Sequence, residues 1–460
     1  MTLDSAALDS PALDSAVLDS AAVARVAPPT TAPVGNGVDP RAGGHQPAGL
    51  DMRTDDDALL WLIDLVSSHG TTVADQRRRE RYAVLPSPTR PRYLVPLGHG
   101  RATSINLRAG QSGWTAQALR TIVTPAARLG ALHLLARRLI DIPSGDPRHP
   151  TLAEHLAERT GQHRLVLSLS LGPPRPNRKP ILQLTTPDGT VVAFAKVSTN
   201  AHTAGLVTNE AAALRALGTR PHLGLLTVPR LLDHFRWKGH DVVLSTALAT
   251  PHQSRLPALP LTAEVVRTIA ELDPLTGGLQ EQGPAADSRW WATVESRVAA
   301  LEGHSANTET SNDGTAKALR RTADAWRARW GTIQWAFGHW HGDLTPWNAA
   351  WDEGRLLVWD WERSGGPVPL GLDALHNAFQ QRLLADGASV ADATAHATRS
   401  QRGLLAELGV DEADVGGMGG AYLMELALRL AEDAQFGPLG PHARLLSEVL
   451  IAARTEASGA

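Results

Sequence analysis

The 460-residue sequence contains no cysteine, which excludes disulfide bonds and thiolate chemistry and makes a cytoplasmic location the expected one. It also lacks any apolar run approaching the ~18 residues that a membrane span needs. The longest apolar stretches are interrupted by Asp64 and by Arg137 and Arg138. The first residues show no basic segment followed by an apolar one, so we expect no secretory signal peptide and no membrane partner.

An excess of basic charge is absent as well. Lys and Arg together number 44, Asp and Glu 47, and the formal net charge is −3. Proteins that bind nucleic acid usually carry a basic patch, so we expect no nucleic-acid partner. Hydrophobic residues at 43% and charged residues at 20% are ordinary for a globular protein. At about 150 residues per domain, the length allows two or three domains.

One stretch, residues 341–362, concentrates side chains that can bind metal or move protons. It reads His-Gly-Asp-Leu-Thr-Pro-Trp-Asn-Ala-Ala-Trp, then seven residues, then Trp-Asp-Trp-Glu. Asp343 and Asn348 are five residues apart, which is the Asp-to-Asn spacing of a kinase catalytic loop. Asp360 follows an apolar run that predicts a short buried strand, and the preceding Asp-Glu-Gly-Arg predicts a hairpin turn.

These three side chains suit phosphoryl transfer. The transferred phosphoryl group spreads negative charge over its oxygens, so cations must lie close to it. Mg²⁺ prefers oxygen ligands and usually takes one or two protein carboxylates, which Asp360 and Asn348 could supply in part. A further carboxylate must accept or orient the proton of the attacking hydroxyl, and Asp343 is suited to that task.

The same residues resemble the aminoglycoside phosphotransferase family, which shares the protein-kinase fold. The resemblance implies that Asp343 is the catalytic base and that Asn348 and Asp360 hold Mg²⁺. It also implies that His341 braces the loop. The string Leu-Asp-Ala-Leu-His that starts at residue 372 is similar to the family too, and there Asp373 would support the catalytic loop from a helix.

A strand-rich segment precedes this loop and carries a candidate phosphate-binding lysine. Asp188-Gly189 predicts a tight hairpin between two strands. The next strand contains Lys196, which resembles the lysine that kinases place on nucleotide phosphates. Glu210, on the following helix, is the expected partner of Lys196. Each residue alone could be a surface charge, but their order before the catalytic loop favours the nucleotide site.

The loop over residues 172–180 differs from the glycine-rich loop of protein kinases, because it has one glycine and several prolines. Proline donates no backbone N–H, so this loop is a poor amide cradle for phosphate. Arg175, Arg178 and Lys179 could contact phosphate through their side chains or could be solvated. By resemblance, the strand over 242–249 is the hinge, and the backbone there does not distinguish ATP from GTP.

The chain is therefore expected to contain a disordered tail (1–50), an accessory α/β region of unknown role (51–150), a kinase-like N-lobe (151–250) and a helical C-lobe with the catalytic loop (251–460). This order predicts an α+β fold: by resemblance a bilobal, protein-kinase-like one, with a small β-rich N-lobe. Nucleotide would bind in the cleft between the lobes.

The predicted function is Mg²⁺-dependent transfer of the γ-phosphate of a nucleoside triphosphate to a hydroxyl of a small molecule. Two alternatives remain: a kinase acting on Ser or Thr of a peptide or protein, and a nucleotide-binding scaffold without catalysis. A scaffold needs no base, so Asp343 argues against it.

The acceptor is expected not to be an aminoglycoside, because a polycationic acceptor needs carboxylates that pair with its ammonium groups. After the catalytic stretch, residues 365–399 contain the acids Asp373, Asp386 and Asp392. Farther on, Glu425, Glu432 and Asp433 alternate with leucines in the manner of a solvated helix face. We therefore expect a neutral or weakly charged hydroxyl compound.

Overall fold

The computed structural model describes residues 57–68, 79–87, 89–106, 123–143, 149–172, 174–249, 259–272, 281–307, 313–440 and 442–458. The tail expected over residues 1–50 lies outside these ranges, as does Pro251 after the expected hinge. Within the described ranges, no helix has both the length and the apolar character needed to cross a membrane.

The strands in chain order are β1 (Arg79–Ser87), β2 (Arg90–Pro96), β3 (Arg138–Pro143), β4 (Val166–Leu171), β5 (Pro180–Thr185), β6 (Val191–Val197), β7 (Leu226–Thr227), β8 (Leu231–Trp237), β9 (His240–Thr246), β10 (Glu281–Pro284), β11 (Gln334–Trp340), β12 (Ala349–Asp352), β13 (Arg355–Val358) and β14 (Gly365–Pro369).

The helices are α1 (Ala58–Val66), α2 (Gly100–Asn106), α3 (Thr124–Arg128), α4 (Leu132–Leu135), α5 (Leu152–Arg159), α6 (Ala201–Gly218), α7 (Ala263–Ala270), α8 (Arg289–Asn307), α9 (Asp313–Trp330), α10 (Leu372–Gln380), α11 (Val390–Ser400), α12 (Arg402–Glu407), α13 (Val415–Ala434) and α14 (His442–Ser458). A π-helical turn, Gln381–Ala385, continues α10.

An eight-stranded antiparallel sheet forms the N-lobe, in the order β3-β1-β2-β4-β5-β6-β9-β8. Strand β6 alternates buried and more exposed side chains, and Ala193, Ala195 and Val197 are its buried residues. This period of two is what a half-buried strand requires. Lys196 lies on the opposite face of β6 from these residues, and α6 follows β6 after a capping box at Asn200.

The accessory region does not stand apart from this sheet. Strand β2 pairs with β4, with Tyr93 opposite Ser170 and Leu94 opposite Leu169. One apolar cluster contains Leu62 of α1 together with Leu244 of β9. Accessory strands and kinase-like strands therefore share one sheet and one core.

The C-lobe packs its helices around α13, which is buried along most of its length. Its core includes Trp290, Trp291 and Trp326, whose rings contact one another. Two three-stranded sheets, β10-β11-β14 and β12-β13-β7, flank the catalytic stretch. The β12–β13 hairpin has the expected turn: Glu353 and Gly354 both have positive φ, as a two-residue hairpin loop demands.

The apolar pattern of the sequence predicts one or two helices over residues 115–142, a helix over 316–335 and a helix over 390–408, and the structure corrects all three predictions. The helices expected over 115–142 give way to strand β3 at Arg138, where Ile140 and Ile142 alternate with the exposed Leu139. The helix expected to reach Trp335 ends at Trp330, because Gly331 follows and strand β11 begins at Gln334. The helix expected over 390–408 is two helices separated at Gln401.

Candidate active site

The catalytic stretch connects β11 to β12 and buries the carboxylate of Asp343 completely. Asn348 Nδ2 donates to Asp343 Oδ2 at 2.6 Å, and it also lies 3.0 Å from the backbone oxygen of Asp343. His376 Nε2 lies 2.9 Å from Asp343 Oδ1. Because each carboxylate oxygen has a donor from a different element, the carboxylate is fixed in orientation.

The loop itself is braced by Asp373, at the start of α10. Its carboxylate accepts the backbone N–H of His341 at 2.8 Å and that of Gly342 at 3.0 Å. Burial raises the pKa of Asp373 to about 6, although the two N–H donors act in the opposite direction. Gly342 has φ +82°, and an added Cβ would lie 2.5 Å from the Arg363 carbonyl oxygen, so glycine is required.

His341 holds the loop to the strand that carries Asp360. Its Nε2 donates to the Trp359 carbonyl at 3.0 Å, while Nδ1 accepts the backbone N–H of Asp343 at 3.1 Å. Burial lowers the pKa of His341 to about 3, so the ring is neutral and this tautomer suits both contacts. His341 and Asp373 thus occupy the bracing positions that the resemblance implied.

Sequence reasoning missed the roles of His376 and Tyr422. The Tyr422 hydroxyl, on α13, lies 3.2 Å from His376 Nδ1. Burial lowers the pKa of His376 well below its ordinary value, so the neutral ring can accept from Tyr422 and donate to Asp343. His376 belongs to the family-like string that starts at residue 372, so the sequence contained an indication of its role. Nothing in the sequence indicated Tyr422, because its position depends on how α13 packs against α10.

The second half of the site is an ionic cluster around Lys196. Lys196 Nζ lies 2.8 Å from Glu210 Oε2 and 3.5 Å from Glu362 Oε2, and it contacts Asp360 Oδ1. Burial alone would lower the pKa of Lys196, but the carboxylates of Asp360, Glu210 and Glu362 raise it well above the usual value. The expected Lys196–Glu210 pair is present, and Glu362 is an addition that sequence reasoning did not assign.

The residues present fit a hard cation. Oxygen atoms of Glu210, Asp360 and Glu362 all lie within 4.8 Å of one another. Asn348 lies beside this group, because its backbone oxygen accepts the N–H of Trp359, the residue before Asp360. Since the Asn348 amide donates through Nδ2, its Oδ1 is the atom that could accept a cation. Amide and carboxylate oxygens are ligands of the kind that Mg²⁺ prefers.

Lys179, at the end of the proline-rich loop, reaches the same cluster. Its Nζ lies 2.8 Å from Glu362 Oε1, and only 5% of its side chain is exposed. Arg178 is also buried, and its Nε donates to the Gly172 carbonyl at 2.9 Å. The solvated alternative is therefore wrong for both residues.

The acids of α13 are not on a solvated face, which corrects the sequence interpretation. Arg297 Nη1 lies 2.6 Å from Glu425 Oε2, and Arg297 Nε lies 2.6 Å from Glu432 Oε1. His202 Nε2 lies 2.7 Å from Asp433 Oδ1 and joins α6 to α13. The reason is that α13 is surrounded by other elements, so its charges are buried and require partners.

A comparison with protein-family models covers much of the candidate site. The model described as APH, phosphotransferase enzyme family, matches residues 177–366. This region is similar to the phosphotransferase enzyme family. The match confirms the resemblance drawn from the motifs and, with the observed architecture, the bilobal protein-kinase-like fold. The phosphotransferase region contains seven residues of the site: Lys179, Lys196, Glu210, Asp343, Asn348, Asp360 and Glu362.

Several solved structures are similar to the chain. A thermostable mutant of aminoglycoside phosphotransferase APH(4)-Ia, with AMP-PNP and hygromycin B, matches at 17% identity and a TM-score of 0.46, over 67% of this chain and 99% of that one. Aminoglycoside phosphotransferase APH(3'')-Id from Streptomyces rimosus, with ADP and streptomycin, matches at 15% and 0.34, over 54% and 89%. Amicoumacin kinase hAmiN, with AMP-PNP, Ca²⁺ and its antibiotic, matches at 10% and 0.35, over 61% and 85%. No curated protein matches the chain.

Proposed function

We propose that the protein is a Mg²⁺-dependent phosphotransferase that moves the γ-phosphate of ATP or GTP to a hydroxyl of a small molecule. The observation that carries this proposal is the buried Asp343 carboxylate, oriented by Asn348 and His376. The Lys196–Asp360 contact lies nearby, at the end of the hairpin that starts at Asn348. These contacts support the three parts that phosphoryl transfer requires, which are a base, an oxygen ligand set and a phosphate-binding cation.

In this mechanism Asp343 orients the acceptor hydroxyl and accepts its proton as the hydroxyl oxygen bonds to the γ-phosphorus. The bond from the γ-phosphorus to the β–γ bridging oxygen breaks in the same transfer, and the nucleoside diphosphate leaves. His376 is neutral and donates to Asp343, so it orients the base and does not compete for the proton. Lys196 binds the nucleotide phosphates, and Glu210 keeps its ammonium group in position. Asn348 and Asp360 would hold Mg²⁺, which supplies positive charge to the phosphate oxygens when bound.

Carboxylates that already have partners inside the fold indicate which class of acceptor fits the site. Glu425 and Asp433 are paired with Arg297 and His202, and Asp373 accepts backbone N–H groups. A polycationic acceptor would need carboxylates that can turn to its ammonium groups. These three acids are already used inside the fold, which supports a neutral or weakly charged acceptor over an aminoglycoside.

The test is a transfer assay with γ-labelled ATP and GTP against metabolite pools, peptide pools and a panel of aminoglycosides. We expect label in the metabolite fraction. Asp343→Asn should lower turnover by about 10²- to 10⁴-fold, because the positioned base is lost, while nucleotide binding in a thermal-shift titration stays intact. Asp386→Asn, at an exposed ion pair, is the matched control and should leave turnover unchanged.

Each other outcome contradicts the proposal in a defined way. Label in the peptide pool would indicate a protein kinase, and label on the aminoglycosides would overturn the acceptor class. Nucleotide binding without transfer to any pool would indicate a scaffold. Full turnover by Asp343→Asn would remove the assigned base.

A further inference from the structure

The loop between β4 and β5 poses a problem for nucleotide binding. In many nucleotide sites, backbone N–H groups of a glycine-rich loop hold the phosphates. Here the loop contains Pro173, Pro174 and Pro176, none of which can donate, and a single glycine at its start. If this loop takes part in phosphate binding, side chains must supply the donors.

Lys179, the last residue of the loop, is placed to do so. Its ammonium group lies 2.8 Å from Glu362 Oε1, and the other oxygen of the same carboxylate lies 3.5 Å from Lys196 Nζ. One buried carboxylate therefore contacts two ammonium groups. The loop lysine and the β6 lysine are close neighbours, although 16 residues separate them in the sequence.

The donors of Lys179 exceed its partners within this cluster. An ammonium group has three N–H donors and points them by rotating a flexible stem. Glu362 accepts from Lys179, and the Asn177 carbonyl lies at 3.5 Å, which is the outer limit of a hydrogen bond. Lys179 can therefore keep its contact with Glu362 and still donate to a phosphate oxygen.

The charges of the cluster also favour an additional cation on the phosphates. Lys196 is shared among three carboxylates, Glu210, Asp360 and Glu362. Its charge is therefore partly neutralised by the protein itself. A triphosphate carries several negative charges, so a second ammonium group beside Lys196 would strengthen its binding.

We propose that Lys179 is a second phosphate-binding residue of the nucleotide site, that it replaces the amide donors of a glycine-rich loop, and that Glu362 positions both lysines. This inference rests on the proposed function and deepens it. It assigns the proline-rich loop a direct contact with the nucleotide's phosphate chain, through one side chain.

The experiment measures dissociation constants by calorimetry for Mg²⁺–ATP, Mg²⁺–GTP, inorganic tripolyphosphate and adenosine. Lys179→Met should weaken the binding of tripolyphosphate, and of whichever of ATP and GTP the wild-type protein binds, by about 10- to 100-fold. The reason is that a charge-assisted hydrogen bond to phosphate is lost. Adenosine binding should be unchanged. In turnover assays the nucleotide KM should rise by the same factor, with kcat changing less. Lys179→Arg should retain most of the affinity.

A structural role for Lys179 would give a different result. Loss of one partner from a buried ion pair destabilises a protein, and removal of both charges relieves that penalty. If Lys179 serves only to neutralise Glu362, the Lys179→Met/Glu362→Gln double variant should recover wild-type tripolyphosphate affinity, which would overturn the inference. Unchanged tripolyphosphate affinity in Lys179→Met would overturn it as well. Lys317→Met, exposed on α9, is the control for loss of a positive charge.

Failure of the proposed function is distinguishable from failure of this inference. If the wild-type protein binds neither ATP nor GTP, the proposed function fails. If it binds one of them and transfers phosphate, but Lys179→Met binds that nucleotide equally well, only the role of Lys179 is wrong.

Discussion

Asp343 obtains its two donors from parts of the chain that are separated in sequence. Asn348 is five residues away in the same loop, whereas His376 belongs to α10 and is held in turn by Tyr422 of α13. The Tyr422–His376–Asp343 chain fixes which ring nitrogen carries the proton. At the scale of single residues, this chain makes α13 part of the machinery that orients the base.

We expect Tyr422→Phe to lower kcat by up to about tenfold, because the His376 ring loses the hydrogen bond that selects its tautomer. The nucleotide KM should not change, since the Tyr422 hydroxyl acts on Asp343 through His376. Steady-state kinetics over pH 6–9 would measure both parameters. Tyr93→Phe, on β2, is the matched control. A loss as large as that of Asp343→Asn would mean that Tyr422 acts on the substrate directly.

The same contrast explains which site residues could be predicted. Asp343, Asn348 and Asp360 lie in one short motif with a defined spacing, and Lys196 and Glu210 follow a strand–helix order that the resemblance supplied. Lys179 and Glu362 were both noted in the sequence, but nothing there predicted that they form an ion pair. Their contact joins positions 183 residues apart and depends on how the loop folds over the hairpin.

At the scale of elements, β11 approaches α7 closely at Gly338. An added Cβ at Gly338 would lie 2.6 Å from the Ala270 Cβ and 3.0 Å from its carbonyl oxygen. Both atoms belong to Ala270 of α7, which packs against β11. Because this contact is dense, neither atom can move away without loss of packing. Gly338 therefore sets the distance between β11, which leads into the catalytic loop, and α7.

We expect Gly338→Ala to reduce the free energy of unfolding by about 1–3 kcal/mol, as overpacking does in a dense core. Gly303→Ala is the matched control: Gly303 lies in α8 with nothing within 4 Å of an added Cβ. That change should instead stabilise by about 0.5–1 kcal/mol, through helix propensity. Urea unfolding curves of the wild type and the two variants measure these differences in the free energy of unfolding. Equal midpoints would contradict the packing argument.

The elements that were predicted well are those with a local signal. The strands of the N-lobe sheet show alternation, and the β12–β13 turn shows its Gly. Strand β3 was missed because Leu132, Leu139, Ile140 and Ile142 fit a helical stripe nearly as well as a strand. What decides for a strand is pairing with β1, which places Ile140 opposite Tyr82. Such pairing is a tertiary effect that no window of sequence contains.

At the scale of the whole molecule, buried histidines make stability depend on pH. Burial lowers the pKa of His442 to about 4 and that of His341 to about 3. In the unfolded chain each would titrate near 6.5, so the unfolded state binds protons first as the pH falls. Their stabilising contribution is complete above about pH 6.5 and is lost progressively toward pH 4. Asp373, with its raised pKa of about 6, acts in the opposite direction over pH 6 to 4, and burial raises the pKa of Glu80 too. The contribution of a single histidine is therefore measured on a variant that lacks it.

We expect the contribution of His442 to the free energy of unfolding to fall between pH 6.5 and pH 4.5. His442→Gln should reduce this slope by about 1 kcal/mol per pH unit, because one proton-binding difference is removed. Urea titrations at half-unit steps would measure it. His133→Gln changes an exposed histidine and should leave the slope as it was. An unchanged slope in His442→Gln would show that His442 does not contribute.

The division of the chain is also a property of the whole molecule. We propose that the described residues between 57 and 143 are part of the N-lobe, because the sheet and its core continue across residue 150. The Trp237 ring N–H donates to the Leu65 carbonyl at 2.8 Å, which joins α1 to the far end of the same sheet.

The shared sheet has a consequence for shortened forms of the protein. A polypeptide that started near residue 150 would lose β1, β2 and β3, and β4 would become an edge strand with unpaired N–H and C=O groups. It would also expose the apolar residues that α1 covers, among them Leu167 and Leu244. An open edge beside an apolar surface is a template for strand pairing between molecules, so such a fragment should aggregate before it could act. Likeness to phosphotransferases begins at residue 177, but the apolar core that this region shares begins about 120 residues earlier, at α1.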